Sequence, residues 1–263
     1  MTTSTRSSSP SHPMSYQHVV IMRHGDRADF VDPTWVDTAT RKWDPELVTQ
    51  GITRAFKTGQ KIRTHLADVS IHRGFVSPFL RCLQTAAEAV SALVANVESV
   101  DDLDNYASAS HASKIKVAIE YGLCEMLNSR AITPEKAPKD GIFSFDIPYC
   151  ESILPAGTID HNVEPIYKEM PKWEETVEET LARYVQTTKA LADKYLPENL
   201  LLVTHAAGVL SVLQELKGGA DGAQVEYCGY LYLKRPIYPG ENKTFTAGQF
   251  ELVGLDGVNV ISS

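Results

Sequence analysis

Apolar runs alternate with polar turns along this chain, and the turns that follow the strand-like runs carry most of the notable chemistry. Residues 17–22, QHVVIM, read as a short buried strand that runs straight into Arg23-His24-Gly25-Asp26-Arg27. A helical stretch follows Asp44-Pro45, with Thr49 or Gln50 near its start and Phe56, Ile62 and Leu66 among its apolar positions. Residues 74–77 predict a second strand, closed by Pro78 and followed by a helix over about 80–93. Residues 115–119 alternate with lysine and predict a third strand. Periodicity is then lost from Tyr121 to Met170, and we expect a cap insertion over about 121–173. Residues 174–195 are amphipathic, with Val177, Leu181, Tyr184, Val185, Thr188 and Leu191 at helical spacing and glutamates in the first turns, where the helix dipole favours them. Residues 200–204 are a fully apolar strand and 206–216 a helix, so His205 lies at a strand-to-helix switch. Residues 225–234 and 245–253 predict strands near a sheet edge, with Tyr230, Tyr232 and Lys234 turned outward.

Strands alternating with helices imply a three-layer α/β/α fold, its mostly parallel central sheet carrying antiparallel edge strands. A length of 263 residues with 43% hydrophobic content fits one such domain over 15–263. The first fourteen residues, rich in Ser, Thr and Pro, hold too little apolar mass to offset ordering and are expected to be a disordered tail. With one basic residue there, Arg6, they read poorly as a transit peptide.

Charge and cysteine usage narrow the function. A formal net charge of -8 leaves no broad basic field for nucleic acid or an anionic membrane surface, so a phosphate ligand would need a local cluster of cations. Cys82, Cys124, Cys150 and Cys228 form no Cys-x-x-Cys pair, which points away from zinc and disulfides and toward a reduced, cytoplasmic setting. No apolar run is long enough to span a bilayer. His12, His18, His65, His72, His111 and His161 show no ligand spacing, so neither a metal site nor a cofactor is expected.

In an open sheet of this kind, ligands sit beyond the carboxyl ends of the strands. Three strand ends would bring Arg23, His24 and Arg27, then Arg81, then His205 to one crevice. An Arg-His-Gly tripeptide alone says little. The combination VVIMRHGDRAD, VSPFLRCLQTA and LLLVTHAAGVL says more, and in these segments the chain resembles the histidine phosphatase, or phosphoglycerate-mutase-like, superfamily over about residues 17–234. RHGDRAD, GLCEML and VEYCGYLYL look most like the suppressor of T-cell receptor signalling proteins and the ecdysteroid-phosphate phosphatases.

The residue types suit the chemistry that the resemblance implies. Phosphoryl transfer spreads negative charge over three oxygens, and arginine offers a planar, permanently charged fork for them. Arg23, Arg27 and Arg81 would grip the phosphate, with His205 as a further donor. His24 would be the nucleophile, one ring nitrogen held by a backbone carbonyl and the other free to attack. The resemblance places a general acid just after the third strand. Glu125 fits best, with Glu120 and Asp26 as competitors.

The expected activity is metal-independent hydrolysis of a small-molecule or peptide phosphomonoester through a phosphohistidine. One alternative is a mutase-type isomerase, although Ala28 and Asp29 follow Arg27 where cofactor-dependent mutases carry a pattern ending in Asn. The other is a non-catalytic phospho-ligand binder. A homodimer would agree with the resembling phosphatases, and Trp173, Tyr149, Phe143, Phe145 and Tyr121 are candidates to line the cap side of the pocket.

Overall fold

The computed structural model describes residues 12–95, 115–219, 222–240 and 244–259. In chain order the elements are β1 (Ser15–Arg23), α1 (Ala28–Val31), α2 (Trp35–Thr38), α3 (Thr49–Leu66), β2 (Arg73–Val76), α4 (Leu80–Val94) and β3 (Lys116–Ile119). A 3-10 turn at Tyr121–Leu123 leads to α5 (Ile147–Ser152), α6 (Val177–Lys194), β4 (Leu200–Thr204) and α7 (Ala206–Lys217). The chain closes with β5 (Gln224–Pro239), β6 (Phe245–Ala247) and β7 (Glu251–Asn259). The expected mixed α/β architecture is present. β3, β2, β4 and β1 lie side by side in parallel, and β5 continues the sheet antiparallel to β1, with β6 and β7 antiparallel on its other edge.

Burial on both faces explains why the parallel strands read as continuous apolar runs. Val20 and Met22 of β1 and Val203 of β4 pack with Ala55 and Ile62 of α3 and with Leu83 and Ala86 of α4. Their neighbours Val19, Ile21 and Leu202 face the other way, against Leu191 of α6 and Val209 and Leu213 of α7. Period-2 alternation therefore serves two cores at once.

Three expectations change. β5 is an interior strand, because β6 and β7 cover the edge that β1 leaves open. Tyr230 is accordingly buried and its hydroxyl meets His65 Nδ1 at 2.6 Å, so it does not point to solvent. The strand expected over 245–253 is two strands, 245–247 and 251–259, interrupted opposite the Arg235–Pro236 stretch, where proline has no N–H to donate. On α6 the buried face includes Thr180, Arg183 and Thr187, while Leu181 and Val185 are only half-buried. Arg183 turns inward because Glu175 and backbone carbonyls satisfy its guanidinium.

Most of the expected tail lies outside the described residues. Met14 within it already donates its N–H to Ile237 O at 2.8 Å. Between Tyr121 and Trp173 the chain is mostly irregular, yet Leu127, Ile132, Phe143, Cys150 and Leu154 are buried in the core on the α3 and α4 side. Among the described residues, no helix is long and apolar enough to cross a membrane.

Candidate active site

His24 is the first residue past β1, and its surroundings hold it on every side. Its N–H donates to Thr204 O at 3.0 Å and its carbonyl accepts from Cys228 N at 3.1 Å. The ring Nδ1 lies 2.8 Å from Gly25 O. A carbonyl only accepts, so Nδ1 carries the proton and Nε2 keeps a lone pair. Burial lowers the His24 pKa well below the usual imidazole range, and Arg81, His205 and Arg23 add to that, so the ring is neutral. Gly25 is required by packing, since a Cβ there would sit 2.9 Å from Gly51 O at the start of α3. Gly25 N in turn donates to Thr85 Oγ1 at 2.9 Å.

His205 stands between β4 and α7, fully buried, with its ring 5.4 Å from that of His24, centroid to centroid. Its Nδ1 is 3.1 Å from Glu125 Oε2 and its Nε2 2.9 Å from Ser77 Oγ. With Nδ1 protonated toward the carboxylate, Nε2 accepts from the Ser77 hydroxyl and both ring nitrogens are satisfied. Burial lowers the His205 pKa to about 4 against the opposing pull of Glu125. Burial pushes the Glu125 carboxyl up, but the neighbouring His205 and Arg81 outweigh it, and the group stays ionised well below the usual range. The two share protons as a pair, which is mainly a neutral imidazole beside a carboxylate near pH 7.

Arg81, on the first turn of α4, is 1% exposed, its Nη2 lying 3.1 Å from Glu125 Oε2 and 3.3 Å from His205 Nδ1. Asp44 Oδ1 stands 3.8 Å from Nη1 on the other side. Arg23 Nη1 donates to Val225 O at 2.5 Å, and its guanidinium lies 4.1 Å over the Tyr227 ring. Arg27 is forked to Asp29, at 2.9 Å from Nε and 2.7 Å from Nη2. Among the described residues, the buried Arg23 Nε, Arg81 Nε and Arg81 Nη1 have no hydrogen-bond acceptor. His24, His205, Glu125 and Arg81 thus lie together, and Arg23 and Arg27 flank them through the rings of Tyr227 and Phe30.

The competing carboxylates are committed elsewhere. Glu120 is fully buried and accepts from the N–H groups of Gly122, Ile166 and Tyr167 at 2.9, 2.6 and 2.9 Å. Asp26 is bound by Arg54 on α3 at 2.7 Å. Most of the candidate cap aromatics are packed. Phe143 stacks with Trp43 and Trp173, Phe145 meets Phe79 and Trp43, and Tyr149 is exposed to solvent.

Sequence reasoning missed the supports of these groups. Arg183 donates to Gly122 O, Cys124 O and Glu125 O, and Tyr184 OH to Cys124 O, fixing the turn that presents Glu125. The signal was a charged pair, Arg183 within the half-apolar α6 and Glu175 just before its start. Tyr227 and Cys228 arrive through a bulge. Val225 pairs Val258 and Tyr230 pairs Asp256, so residues 226–229 stand opposite Gly257 alone. An adjoining groove of about 570 Å³, lined by Arg54, Lys57 and Lys61 of α3, shares Tyr227 and Cys228 with the site but none of the expected site residues.

Donor atoms of His24, Glu125 and His205 lie within 4.8 Å of one another, the count of ligands a catalytic metal would use. A cation fits poorly there, because the Arg81 guanidinium already touches both Glu125 and His205 and would repel it. The thiols are equally unsuited as nucleophiles. Burial raises the pKa of Cys82, beside His205, far above the usual range, and takes Cys124 and Cys228 to about 12.

Comparison with known proteins follows the same line. The model of the histidine phosphatase superfamily (branch 1) matches residues 19–122, the stretch that carries His24, Arg27 and Arg81. The match spans the first strand to the 3-10 turn, and within those bounds the chain is similar to the histidine phosphatase superfamily. Among solved structures, the ecdysone phosphate phosphatase of Bombix mori in complex with tungstate is similar at 22% identity with a TM-score of 0.60, over 89% of this chain and 92% of that one. Phosphoglycerate mutase from Bacillus anthracis str. Sterne is similar at 14% identity with a TM-score of 0.49, over 89% and 92%. No curated protein matches the sequence. At 22% identity the likeness to the ecdysone phosphate phosphatase is one of fold alone.

Proposed function

We propose that the protein hydrolyses phosphate monoesters through a phosphohistidine on His24, without a metal ion. The observation that carries this reading is the set of buried guanidinium N–H groups on Arg23 and Arg81 that find no acceptor among the described residues, near a neutral imidazole whose Nδ1 is held by Gly25 O. Unpaired buried donors are costly, and a tetrahedral oxyanion would satisfy them. Tungstate, an oxyanion, is bound by the ecdysone phosphate phosphatase of similar fold.

In this scheme the phosphate enters among Arg23, Arg27 and Arg81, and the negative ends of its P–O bonds take the free N–H donors. His24 Nε2 attacks phosphorus in line, the P–O bond to the leaving group breaks, and the departing oxygen takes a proton from Glu125. Water then attacks phosphorus while Glu125 takes the water's proton, the P–N bond breaks with its electron pair returning to His24 Nε2, and phosphate leaves. Glu125 is ionised before substrate arrives, but a dianionic phosphate beside it opposes its charge and favours the protonated form. Phe30, 69% exposed, and Tyr227 stack edge to face at 6.4 Å beside Arg27 and Arg23, offering the leaving group an apolar wall.

The test is a panel of alkyl, aryl and sugar phosphomonoesters with and without a chelator, run beside His24→Ala. We expect turnover that chelation leaves unchanged and that His24→Ala lowers about 10⁴-fold or more. Equal turnover in His24→Ala would remove the nucleophile, and interconversion of 2- and 3-phosphoglycerate without hydrolysis would favour a mutase.

A further inference from the structure

Asp29 follows Arg27 by two residues, where the sequence departs from the mutase pattern. Its carboxylate takes the Nε and Nη2 edge of Arg27 in a two-point fork, at 2.9 and 2.7 Å, and its side chain is only 3% exposed. The second Asp29 oxygen also accepts from Lys136 Nζ at 3.1 Å, and Lys136 belongs to the irregular stretch between the 3-10 turn and α5. Phe30 closes the arrangement, its ring centre 5.0 Å from the Arg27 guanidinium. Burial opposes ionisation of Asp29, but Arg27 and Lys136 hold its pKa below the usual value.

A guanidinium has five N–H bonds in one plane. Two point at Asp29, which leaves the Nη1–Nη2 end edge, with one hydrogen from each nitrogen, and one further Nη1 hydrogen on the far side. A free arginine would have to give up several rotatable bonds to present that edge, and here the fork and the ring have already restricted them.

From this we infer that Asp29 is a positioning residue that orients Arg27 for an incoming phosphate, and that Lys136 ties this orientation to the 121–173 stretch. The inference rests on the phosphomonoesterase reading and adds to it a link between the phosphate grip and the segment that varies least predictably from sequence. It also explains why an acid is tolerated beside an anion site. The carboxylate is already neutralised by two cations, so it adds order more than repulsion.

The experiment measures tungstate binding by titration calorimetry on the full chain, together with kcat and KM for an aryl phosphate, in wild type, Asp29→Asn, Lys136→Met, Arg27→Ala and the Arg27→Ala/Asp29→Asn double variant. Asp29→Asn should weaken tungstate binding and raise KM about tenfold, and Lys136→Met about threefold, the scale of freeing one ordered side chain. In the Arg27→Ala background, Asp29→Asn should have no further effect, which a merely structural residue would not show. Tungstate bound by Asp29→Asn as tightly as by wild type, or more tightly, would mean that the carboxylate competes with the ligand and would overturn the inference. So would a full Asp29→Asn effect in the absence of Arg27. If Asp29→Asn does not fold, unchanged binding in Lys136→Met overturns the inference and threefold weaker binding supports it. A wild type that neither binds tungstate nor hydrolyses any ester brings down the functional reading and this inference together, whereas an active wild type matched by Asp29→Asn removes this inference alone.

Discussion

Replacing Arg81 by Gln tests the electrostatics of the site through stability, independently of any substrate. The side chain is 1% exposed and stands between Glu125 at 3.1 Å and Asp44 at 3.8 Å. Removing one partner of a buried ion pair strands the other and costs about 3–5 kcal/mol. Unfolding entropy of about 2.1 cal/mol/K per residue over 263 residues is about 0.55 kcal/mol/K, so the melting temperature should fall by about 5–9 °C at pH 7.5. The sign of the pH dependence follows from the pair. Glu125 has a depressed pKa in the native protein, which stabilises the fold above the unfolded value and is lost as pH falls. Without Arg81 that depression shrinks, and His205, freed from the guanidinium's repulsion, binds a proton more readily than its value of about 4 allows now. At pH 5 a proton shared by Glu125 and His205 replaces the missing cation, so the loss should be half as large or less. Asp44 keeps the Leu80 N–H at 2.8 Å and Arg41 at 3.3 Å, so it contributes less. Melting followed by circular dichroism at both pH values, with Arg81→Gln/Glu125→Gln alongside, provides the readout. The double variant should recover several degrees at pH 7.5. An equal loss at both pH values, or no recovery in the double variant, would refute the assignment of charges.

Three further outcomes are expected. Since the free protein holds Glu125 ionised, kcat/KM should fall as pH rises from 5 to 8, and Glu125→Gln should be slow and lack this limb; a wild-type profile that climbs toward pH 8 would contradict the general-acid role. Gly51→Ala would set a Cβ 2.6 Å from Asp26 O, backbone against backbone, so the His24 loop must shift; we expect at least a tenfold loss of kcat/KM with a destabilisation of about 1–3 kcal/mol, read by urea titration. Glu120→Ala would leave three buried N–H groups unpaired and should cost about 3 kcal/mol and open residues 163–170 to limited proteolysis, whereas unchanged resistance there would show that the carboxylate holds nothing.

What could be read from the chain were the features that depend on near neighbours. Strand, turn and helix alternate with a local period, and a histidine or arginine just past a strand end must reach the same sheet edge as its counterparts, which is how His24, Arg81 and His205 were brought together. The choice between Glu120 and Glu125 was less visible. They lie five residues apart, and what separates them is that Ile166 and Tyr167, far along the chain, donate to the first, while Arg81 and His205 receive the second. Arg183 misled the helical pattern for a related reason, because besides Glu175 its partners are carbonyls with no side-chain signature. The interior position of β5 depended on pairings with β1 and β7 that no local window contains.

The four-against-one irregularity in β5 makes the far end of the chain a structural parent of the loop that carries His24. Val225 and Arg23 are 202 residues apart, yet one carbonyl of the former steadies the latter, and Cys228, bent to φ 60°, reaches His24 from the same short excursion. A single-residue deletion there would flip the side chains that follow and withdraw both tethers at once. Length in the last hairpin is thus under the same constraint as the candidate site residues Arg23 and His24 that it tethers.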